Sequence, residues 1–164
     1  MSGAFCRYAS PLGGITLSAN GQGLTGLWFD GQRHFGSSLA GAVEGSNAHT
    51  EDARRWLDIY FSGREPEFTP ALSLSGTPFQ LLIWEELKRI PYGRTVTYGA
   101  LADIAAKKLG YKKMSPQAVG GAVSRNPVSI IVPCHRVIGA GGSLTGYAAG
   151  TETKRGLLAL EKVF

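Results

Sequence analysis

The feature of this sequence that most constrains its fold is a change of pattern near the middle of the chain. Up to about residue 29, apolar and polar residues alternate as they do in β-strands, and Asn20-Gly21 is a turn signal. From Thr77 onward, apolar residues recur at helical spacing. The stretch 64–76 holds two prolines and neither periodicity. The sequence therefore predicts an α+β protein with two domains: residues 1–75, rich in strands, and residues 76–164, mostly helical.

Capping residues predict where helices begin and end in both halves. Thr50, followed by two acidic residues, is the predicted N-cap of a helix in the first domain, and Gly63 is the predicted stop. In the second domain Thr77 precedes a proline, with Gln80 in the position of a capping box. The helix that they open is expected to run to Pro91.

Two further helices in the second half form a predicted helix-turn-helix. Thr97 caps the first, whose predicted apolar face is Leu101, Ile104, Ala105 and Leu109, and Gly110 ends it. Ser115-Pro116 opens the second, which is short. Such a pair is typical of DNA-binding proteins, although helix pairs also occur in many other folds. Four lysines flank the turn between the helices: Lys107, Lys108, Lys112 and Lys113.

Charge is unevenly distributed along the chain. The formal net charge is +5. Residues 1–75 hold five Lys/Arg and seven Asp/Glu, a balance of −2, whereas residues 76–164 hold twelve and five, a balance of +7. The basic half is therefore the candidate for a polyanionic partner such as nucleic acid, although a merely solubilising charge is the alternative.

The cysteine content and the N-terminus indicate a reducing compartment. Cys6 and Cys134 are the only cysteines, too few for a disulfide framework, and no CxxC pair offers a metal site. Residues 1–6 lack the basic region and apolar run of a secretory signal, and no apolar stretch approaches the roughly 20 residues of a membrane span. We therefore expect a cytoplasmic protein without membrane partner, metal or cofactor.

Cys134 is the candidate nucleophile. It follows Pro133 and a predicted apolar strand over residues 129–132, and it precedes His135 and Arg136. A thiol reacts as the thiolate, which neighbouring cations favour, and a nearby histidine can take its proton. The alternative for any single cysteine is an inert, buried apolar side chain. A glycine-rich loop over 139–150 and a helix that opens at Thr151 are predicted to follow.

An ordered set of motifs in the second half resembles the O6-alkylguanine-DNA alkyltransferase family. The similarity covers roughly residues 77–163. The first half is similar to the family's ribonuclease-H-like domain only in size and in its strands-then-helix layout. The motifs that carry the resemblance are Pro91-Tyr92-Gly93, Thr97-Tyr98, Ala118-Val119-Gly120-Gly121-Ala122, Asn126-Pro127, Pro133-Cys134-His135-Arg136-Val137, Gly146-Tyr147 and Leu160-Glu161.

The resemblance implies roles for the residues around the thiol. Cys134 matches the alkyl acceptor, His135 the base that draws off its proton through a water, and Glu161 the acid that orients the imidazole. An acid–imidazole–thiol relay of this kind generates a thiolate. Asn126 matches an asparagine that braces the active-site turn, while a simple Asn-Pro turn is the alternative.

The resemblance also implies a pocket for the damaged base. Tyr98 matches a tyrosine whose hydroxyl donates to the purine, although a half-buried core tyrosine is the alternative. Tyr147 and Ala148 match the wall of the pocket, and Val137 is expected to line it through its backbone. Lys154 matches a lysine near the pocket, with a solvated lysine in the first turn of a helix as the alternative.

Residues of the short helix and nearby arginines are the expected DNA contacts. Ala118 and Gly121 are small enough for close approach of the DNA backbone. Arg125 and Arg136 are also expected to contribute. Gln117 stands where many family members carry an arginine that fills the gap left by the everted base; it is shorter and uncharged. The chain also lacks the Cys/His set that gives some relatives a structural zinc.

These features predict direct repair of duplex DNA by a monomer. The alkyl group of O6-methylguanine would move irreversibly to Cys134 after the nucleotide is flipped out, with O4-methylthymine left open as a second substrate. One alternative is a non-catalytic protein of the same fold that binds alkylated DNA. Another is a cysteine hydrolase that uses Cys134 and His135. Methyl transfer to the protein, or turnover of a generic ester, distinguishes the three.

Overall fold

The chain divides into two compact units in the computed structural model, which describes residues 3–164. Met1 and Ser2, part of the terminus read for a secretory signal, lie outside that range. The first unit extends to Ser75 and also includes residues 127–131; the second comprises Gly76–Asn126 and Val132–Phe164. The break after Ser75 lies where the pattern changes. The assignment of residues 127–131 to the first unit differs from the predicted division, which placed them in the second domain.

The first unit contains a four-stranded sheet with strands β1 (Ala4–Ser10), β2 (Gly13–Ala19), β3 (Leu24–Phe29) and β4 (Val43–Glu44). Their order across the sheet is β3-β2-β1-β4. The alternating pattern puts Ile15, Leu17 and Ala19 in the core. At the predicted turn, the side chain of Asn20 accepts hydrogen bonds from the backbone N–H groups of the second and third residues after it. Neighbouring strands among β1, β2 and β3 are antiparallel, whereas β4 runs parallel to β1.

Helix α1 (Ala48–Phe61) begins earlier than predicted. Its N-cap is Asn47, whose side chain accepts from the N–H groups of His49 and Thr50. Thr50, predicted as the cap, is the third helical residue and completes the capping box by accepting from the Asn47 N–H. Asn is as good a cap as Thr, and here it satisfies two backbone donors. Gly63, in the left-handed region at φ +88°, follows the end of the helix as predicted.

Residues 127–131 extend the edge of the sheet at β3. Leu27 N–H donates to the Pro127 carbonyl, and Ser129 N–H donates to the Leu27 carbonyl. The predicted strand over 129–132 is wrong, because only Val128 makes a bridge and the chain then turns. Ile130 has φ +71°, and Ile131 N–H donates to the Ser129 carbonyl in a three-residue turn. The apolar character that suggested a strand reflects complete burial.

The second unit is built from helices and one short pair of strands. The predicted caps Thr77, Thr97 and Ser115 are all confirmed by side-chain hydrogen bonds to the first turns. The first of these helices ends four residues before Pro91. The elements are α2 (Pro78–Leu87), β5 (Val96–Thr97), α3 (Tyr98–Leu109), α4 (Pro116–Ser124), β6 (Val137–Ile138), parallel to β5, and α5 (Thr151–Leu160).

The predicted helix-turn-helix corresponds to α3 and α4, which pack against each other. Leu101 and Ala105 are buried as expected, whereas Ile104 and Leu109 are 40% and 38% exposed. Two alanines, Ala102 and Ala106, take their places in the core. Because alanine side chains are small, α3 can pack closely against its neighbours. Among residues 3–164, no helix combines the length and apolar character needed to cross a membrane.

Candidate active site: a buried thiol beside a charged network

Cys134 lies in a tight turn of the second unit. Pro133 has φ −82° and ψ 65°, the values of an inverse γ-turn, and Cys134 N–H donates to the Val132 carbonyl at 2.8 Å. A single 3₁₀ turn over Cys134–Arg136 then leads into β6. The thiol-bearing residue is only 4% exposed. This turn therefore presents the thiol inside the protein rather than at its surface.

Asn126 braces the turn that carries the thiol. Its amide nitrogen donates to the Val132 carbonyl at 2.8 Å, and its side chain also hydrogen-bonds to Cys134. Asn126 follows directly after the residue that caps α4, so the same side chain links the end of α4 to the Cys134 turn. This contact agrees with the predicted bracing role and goes beyond a simple Asn-Pro turn.

Three charged or polar side chains form a network next to the thiol. His135 Nε2 lies 2.6 Å from Glu161 Oε2. Arg136 donates from Nε to Glu161 Oε1 at 2.8 Å and from Nη2 to Oε2 at 3.2 Å. The backbone N–H of Gly93 also donates to Oε1, at 2.9 Å. All three side chains are buried, so each charge depends on these partners.

Its partners in the network keep Glu161 ionised, whereas burial favours the neutral form of His135. Burial acts to raise the pKa of Glu161, but hydrogen bonds and charge from His135 and Arg136 outweigh it and lower the pKa to about 2. Burial lowers the pKa of His135, and the positive charges of Arg136 and Lys154 add to this effect against the opposing influence of Glu161. Because a carboxylate only accepts hydrogen bonds, Nε2 carries the imidazole proton and Nδ1 is the basic nitrogen.

The thiol of Cys134 is protonated in the resting protein. Burial raises its pKa, although hydrogen bonds from Asn126 and Tyr147 and the charge of Lys154 act in the opposite direction. The sequence suggested that neighbouring cations would favour the thiolate. Instead, the guanidinium of Arg136 is bonded to Glu161. A base must therefore remove the thiol proton during the reaction.

Lys154 is completely buried on α5, which is inconsistent with a solvated first-turn lysine. Its ammonium donates to the Val137 carbonyl and lies 5.7 Å from the Tyr98 ring centroid and 5.9 Å from that of Tyr147. Burial lowers its pKa to about 8, while the nearby Cys134 partly opposes this shift. Lys154 thus links α5 to β6 and brings both predicted pocket tyrosines to one place.

The remaining predicted pocket residues gather around the same point. Tyr98 is the first residue of α3 and is half-buried. A side-chain carbon on Gly146 would lie 3.4 Å from the Tyr98 hydroxyl, which places the glycine-rich loop against that tyrosine. Ala148 is half-buried in this loop, and Val137 is buried in β6. Of the predicted pocket residues, Tyr98, Val137 and Tyr147 are therefore brought together around Lys154, and Ala148 follows Tyr147 in the loop.

The predicted DNA contacts divide into exposed and buried residues. Gln117, Ala118 and Gly121 are exposed on α4, and Arg125 is exposed at its C-terminal cap. Arg136 was predicted among the DNA contacts, but its side chain is only 8% exposed and is hydrogen-bonded to Glu161 within the network.

Trp84 is a residue that the sequence reasoning missed. Its indole N–H, buried on α2, donates to the Ala122 carbonyl in the last turn of α4 at 2.9 Å. A tryptophan at an inward position of α2 is the only sequence signal, and it does not reveal the partner. Among residues 3–164, no group of three or more His, Cys, Asp and Glu side chains is arranged to hold a metal ion.

Two protein-family models match successive segments of this chain. The model described as "6-O-methylguanine DNA methyltransferase, DNA binding domain" matches residues 78–163, and the model of the ribonuclease-like domain of the same family matches residues 6–74. Together these matches define a two-domain DNA methyltransferase architecture. The chain belongs to the 6-O-methylguanine DNA methyltransferase family.

Relatives and solved structures agree with this assignment. The methylated-DNA–protein-cysteine methyltransferase of Methanosarcina acetivorans is 45% identical over 96% of this chain and 97% of its own length. The Mycobacterium leprae protein of that name is 44% identical over 93% and 88%. The crystal structure of Mycobacterium tuberculosis OGT in complex with DNA is similar, with a TM-score of 0.85 and 41% identity over 97% of this chain and 92% of that one. The predicted α+β fold with a ribonuclease-like first domain is confirmed.

Proposed function

We propose that this protein repairs DNA by moving the alkyl group of O6-alkylguanine onto the thiol of Cys134. The observation that carries the proposal is a buried thiol, Cys134, followed directly in the chain by a buried imidazole that is held by the carboxylate of Glu161. The relatives named methylated-DNA–protein-cysteine methyltransferase support the same chemistry. No step in this transfer requires a cofactor.

The transfer is an in-line displacement at the alkyl carbon. The thiol proton moves to His135 Nδ1 through a water, and Glu161 stabilises the imidazolium that forms. The sulfur then bonds to the alkyl carbon as the bond from that carbon to O6 breaks. The purine takes a proton from the hydroxyl of Tyr98 as O6 leaves, so that neutral guanine is released. The imidazolium of His135 then loses its proton and Tyr98 regains one, both by exchange with solvent, which restores the neutral forms of both side chains. The thioether on Cys134 is stable, and each molecule therefore acts once.

The base reaches the thiol by leaving the duplex. A stacked guanine hides its O6 substituent, and extrusion costs a few kcal/mol. Helix α4 is the surface that we place in the minor groove, with Gln117 in the gap left by the base. A side-chain carbon on Gly121 would meet nothing within 4 Å, so its own fold does not require a glycine there. Because glycine weakens a helix by about 1 kcal/mol relative to alanine, close approach of a DNA backbone is the better explanation.

The proposed setting is the cytoplasm, where thiols stay reduced, as the chemistry of Cys134 requires. The protein is expected to act as a monomer on double-stranded DNA, because every proposed site residue comes from one unit of one chain.

Intact mass after incubation with O6-methylguanine DNA tests the proposal. The protein should gain one methyl group, and peptide mapping should place it on Cys134. Cys6→Ala should retain full transfer and Cys134→Ala none. Tight binding to the damaged DNA without any mass gain would instead identify the non-catalytic protein, and repeated turnover of a generic ester would identify a hydrolase.

A further inference from the structure

Arg136 spends its hydrogen-bonding capacity inside the second unit. Its Nε and Nη2 both donate to the Glu161 carboxylate, and Nη1 donates to the Ile90 carbonyl at 2.7 Å. The guanidinium carbon lies 5.7 Å from the centroid of the Tyr92 ring. A two-pronged arginine–carboxylate pair fixes orientation as well as charge. DNA contact through a side chain held in this way would require breaking the pair.

The Glu161 carboxylate lies against His135, and the charge of Arg136 opposes its influence on the imidazole. The carboxylate accepts from His135, from two nitrogens of Arg136 and from Gly93 N–H. A buried carboxylate that faced His135 alone would strongly favour a protonated imidazole. The adjacent guanidinium offsets part of that effect and leaves the hydrogen bond to Nε2 in place.

We propose that Arg136 is a positioning residue of the transfer reaction: it orients Glu161 against His135 Nε2 and offsets part of the carboxylate charge that favours an imidazolium at His135. The inference rests on the proposed function, in which neutral His135 receives the thiol proton. An imidazolium has no basic nitrogen, so it cannot serve in that step. Arg136 therefore acts through Glu161 and His135 and does not touch the substrate.

The charges around His135 determine the sign of the pH effect. Glu161 favours its protonated form, whereas Arg136 and Lys154 favour the neutral form, and Cys134 is the group that it deprotonates. Removing Arg136 leaves the Glu161 charge uncompensated, and the pKa of His135 then rises. As the pH is lowered, the activity that depends on neutral His135 is therefore lost at a higher pH in the variant than in the unmodified protein. The alkaline limb of the pH–rate profile is not expected to move in the same way.

The test measures benzyl transfer from free O6-benzylguanine as a function of pH, because this substrate needs no DNA. In Arg136→Met the acidic limb should move up by about one pH unit, which lowers the rate about tenfold at pH values on that limb. Arg136→Lys retains a positive charge and should restore most of the shift. Arg155→Met removes the same charge from an exposed position on α5 and should leave the profile in place. A uniform loss of rate with an unshifted limb in Arg136→Met would show a merely structural role and overturn the inference.

A measurement on the unmodified protein covers the case in which Arg136→Met fails to fold. Nitrogen NMR of the His135 ring should show a neutral imidazole with its proton on Nε2 at pH 7. A doubly protonated ring at that pH would contradict the inference. Failure of the proposed function is separate, because it would appear as absence of methyl transfer to Cys134 in the unmodified protein.

Discussion

Lys154 is a charged residue whose complete burial is expected to lower the stability of the protein. Its ammonium is removed from water and has one backbone carbonyl and two aromatic rings as neighbours. The pKa falls from the usual value of about 10.4 to about 8. A lysine that is harder to protonate in the folded than in the unfolded protein reduces stability wherever it must be charged.

Lys154→Met should reveal this cost through its pH dependence. Between about pH 8 and 10.4 the unfolded chain holds the Lys154 proton more tightly, so the penalty from Lys154 disappears as the pH rises. The free energy of unfolding of Lys154→Met relative to the unmodified protein should therefore be about 3 kcal/mol more favourable at pH 7 than at pH 10.

Urea unfolding at both pH values gives this difference. The exposed Lys107→Met is the matched control, with no expected change between the two pH values. If Lys154→Met changed the free energy of unfolding by the same amount at pH 7 and at pH 10, burial of the charged Lys154 would not be destabilising in the way expected here.

The sequence singled out Cys134 as a candidate nucleophile, but it did not predict the electrostatic surroundings of that residue. The adjacency of Cys134 and His135 predicted a nucleophile and a base. It also suggested that Arg136 would act on the thiol or on DNA, yet the side chain turns to Glu161, 25 residues further on. Neighbouring side chains in a 3₁₀ turn point in different directions, and no local pattern encodes a partner so far away.

Helix α4 connects the proposed DNA surface to the thiol. Its N-terminal turn exposes Gln117, its last turn is bonded to Trp84, and Asn126 follows its cap. Changes at either end of α4 should therefore have different consequences for flipping and for chemistry.

Gln117→Arg should strengthen the extrahelical state of the base. A charged hydrogen bond contributes roughly 1.5–3 kcal/mol, compared with about 0.5–1.5 kcal/mol for a neutral one. We expect tighter binding to DNA, and we expect the variant to accelerate repair in duplexes more than in single strands, where little unstacking is needed. The rate with free O6-benzylguanine should barely change, and Gln117→Met serves as a neutral control of similar length. An equal change in the free-base and duplex rates would show that the side chain acts on the pocket or the fold; no change in either would leave Gln117 as an ordinary first-turn residue.

Trp84→Phe should loosen the C-terminal end of α4. The change removes the hydrogen bond to the Ala122 carbonyl, and its loss should cost about 1 kcal/mol in the free energy of unfolding. Repair of duplex DNA should slow more than reaction with free O6-benzylguanine, since α4 meets only the former.

Trp28→Phe is the control for the smaller ring. Among residues 3–164 the Trp28 indole N–H has no hydrogen-bond partner, so this variant shortens a buried ring in the first unit without breaking such a bond. An unchanged ratio of duplex to free-base rates in Trp84→Phe would refute the anchoring role.

Elements with local signals were predictable, and those that depend on distant partners were not. The caps Thr77, Thr97 and Ser115 carry their information within four residues. The run 129–132 has the composition of a buried strand, but its shape depends on pairing with Leu27, about 100 residues earlier. Thr50 and Asn47 were both acceptable caps, and only the fold distinguishes them.

For the whole molecule, the uneven charge predicts how DNA affinity responds to salt. Binding that neutralises phosphates releases counterions, and the logarithm of affinity falls with the logarithm of salt concentration by about 0.9 per phosphate contact. Lys112 and Lys113 are exposed between α3 and α4, whereas Lys108 is paired with Glu86.

The double variant Lys112→Gln/Lys113→Gln should reduce the steepness of this salt dependence by about 2 and weaken binding similarly on all DNA sequences. Fluorescence anisotropy at several salt concentrations provides the measurement. Arg55→Gln/Arg64→Gln removes the same charge from the acidic half and should leave the slope unchanged. A slope that falls equally in both double variants would show that overall charge, and not this turn, determines binding.

The inclusion of residues 127–131 in the first unit has a consequence for how the protein is made. During synthesis the chain emerges from its N-terminus, and early domains usually fold before later ones are complete. Here the edge of the sheet at Leu27 must wait until Pro127 and Val128 have left the ribosome. The Cys134 turn follows within a few residues. The first unit can thus be completed only shortly before Cys134 emerges from the ribosome. A nascent chain stalled before residue 127 would expose an unfinished sheet edge.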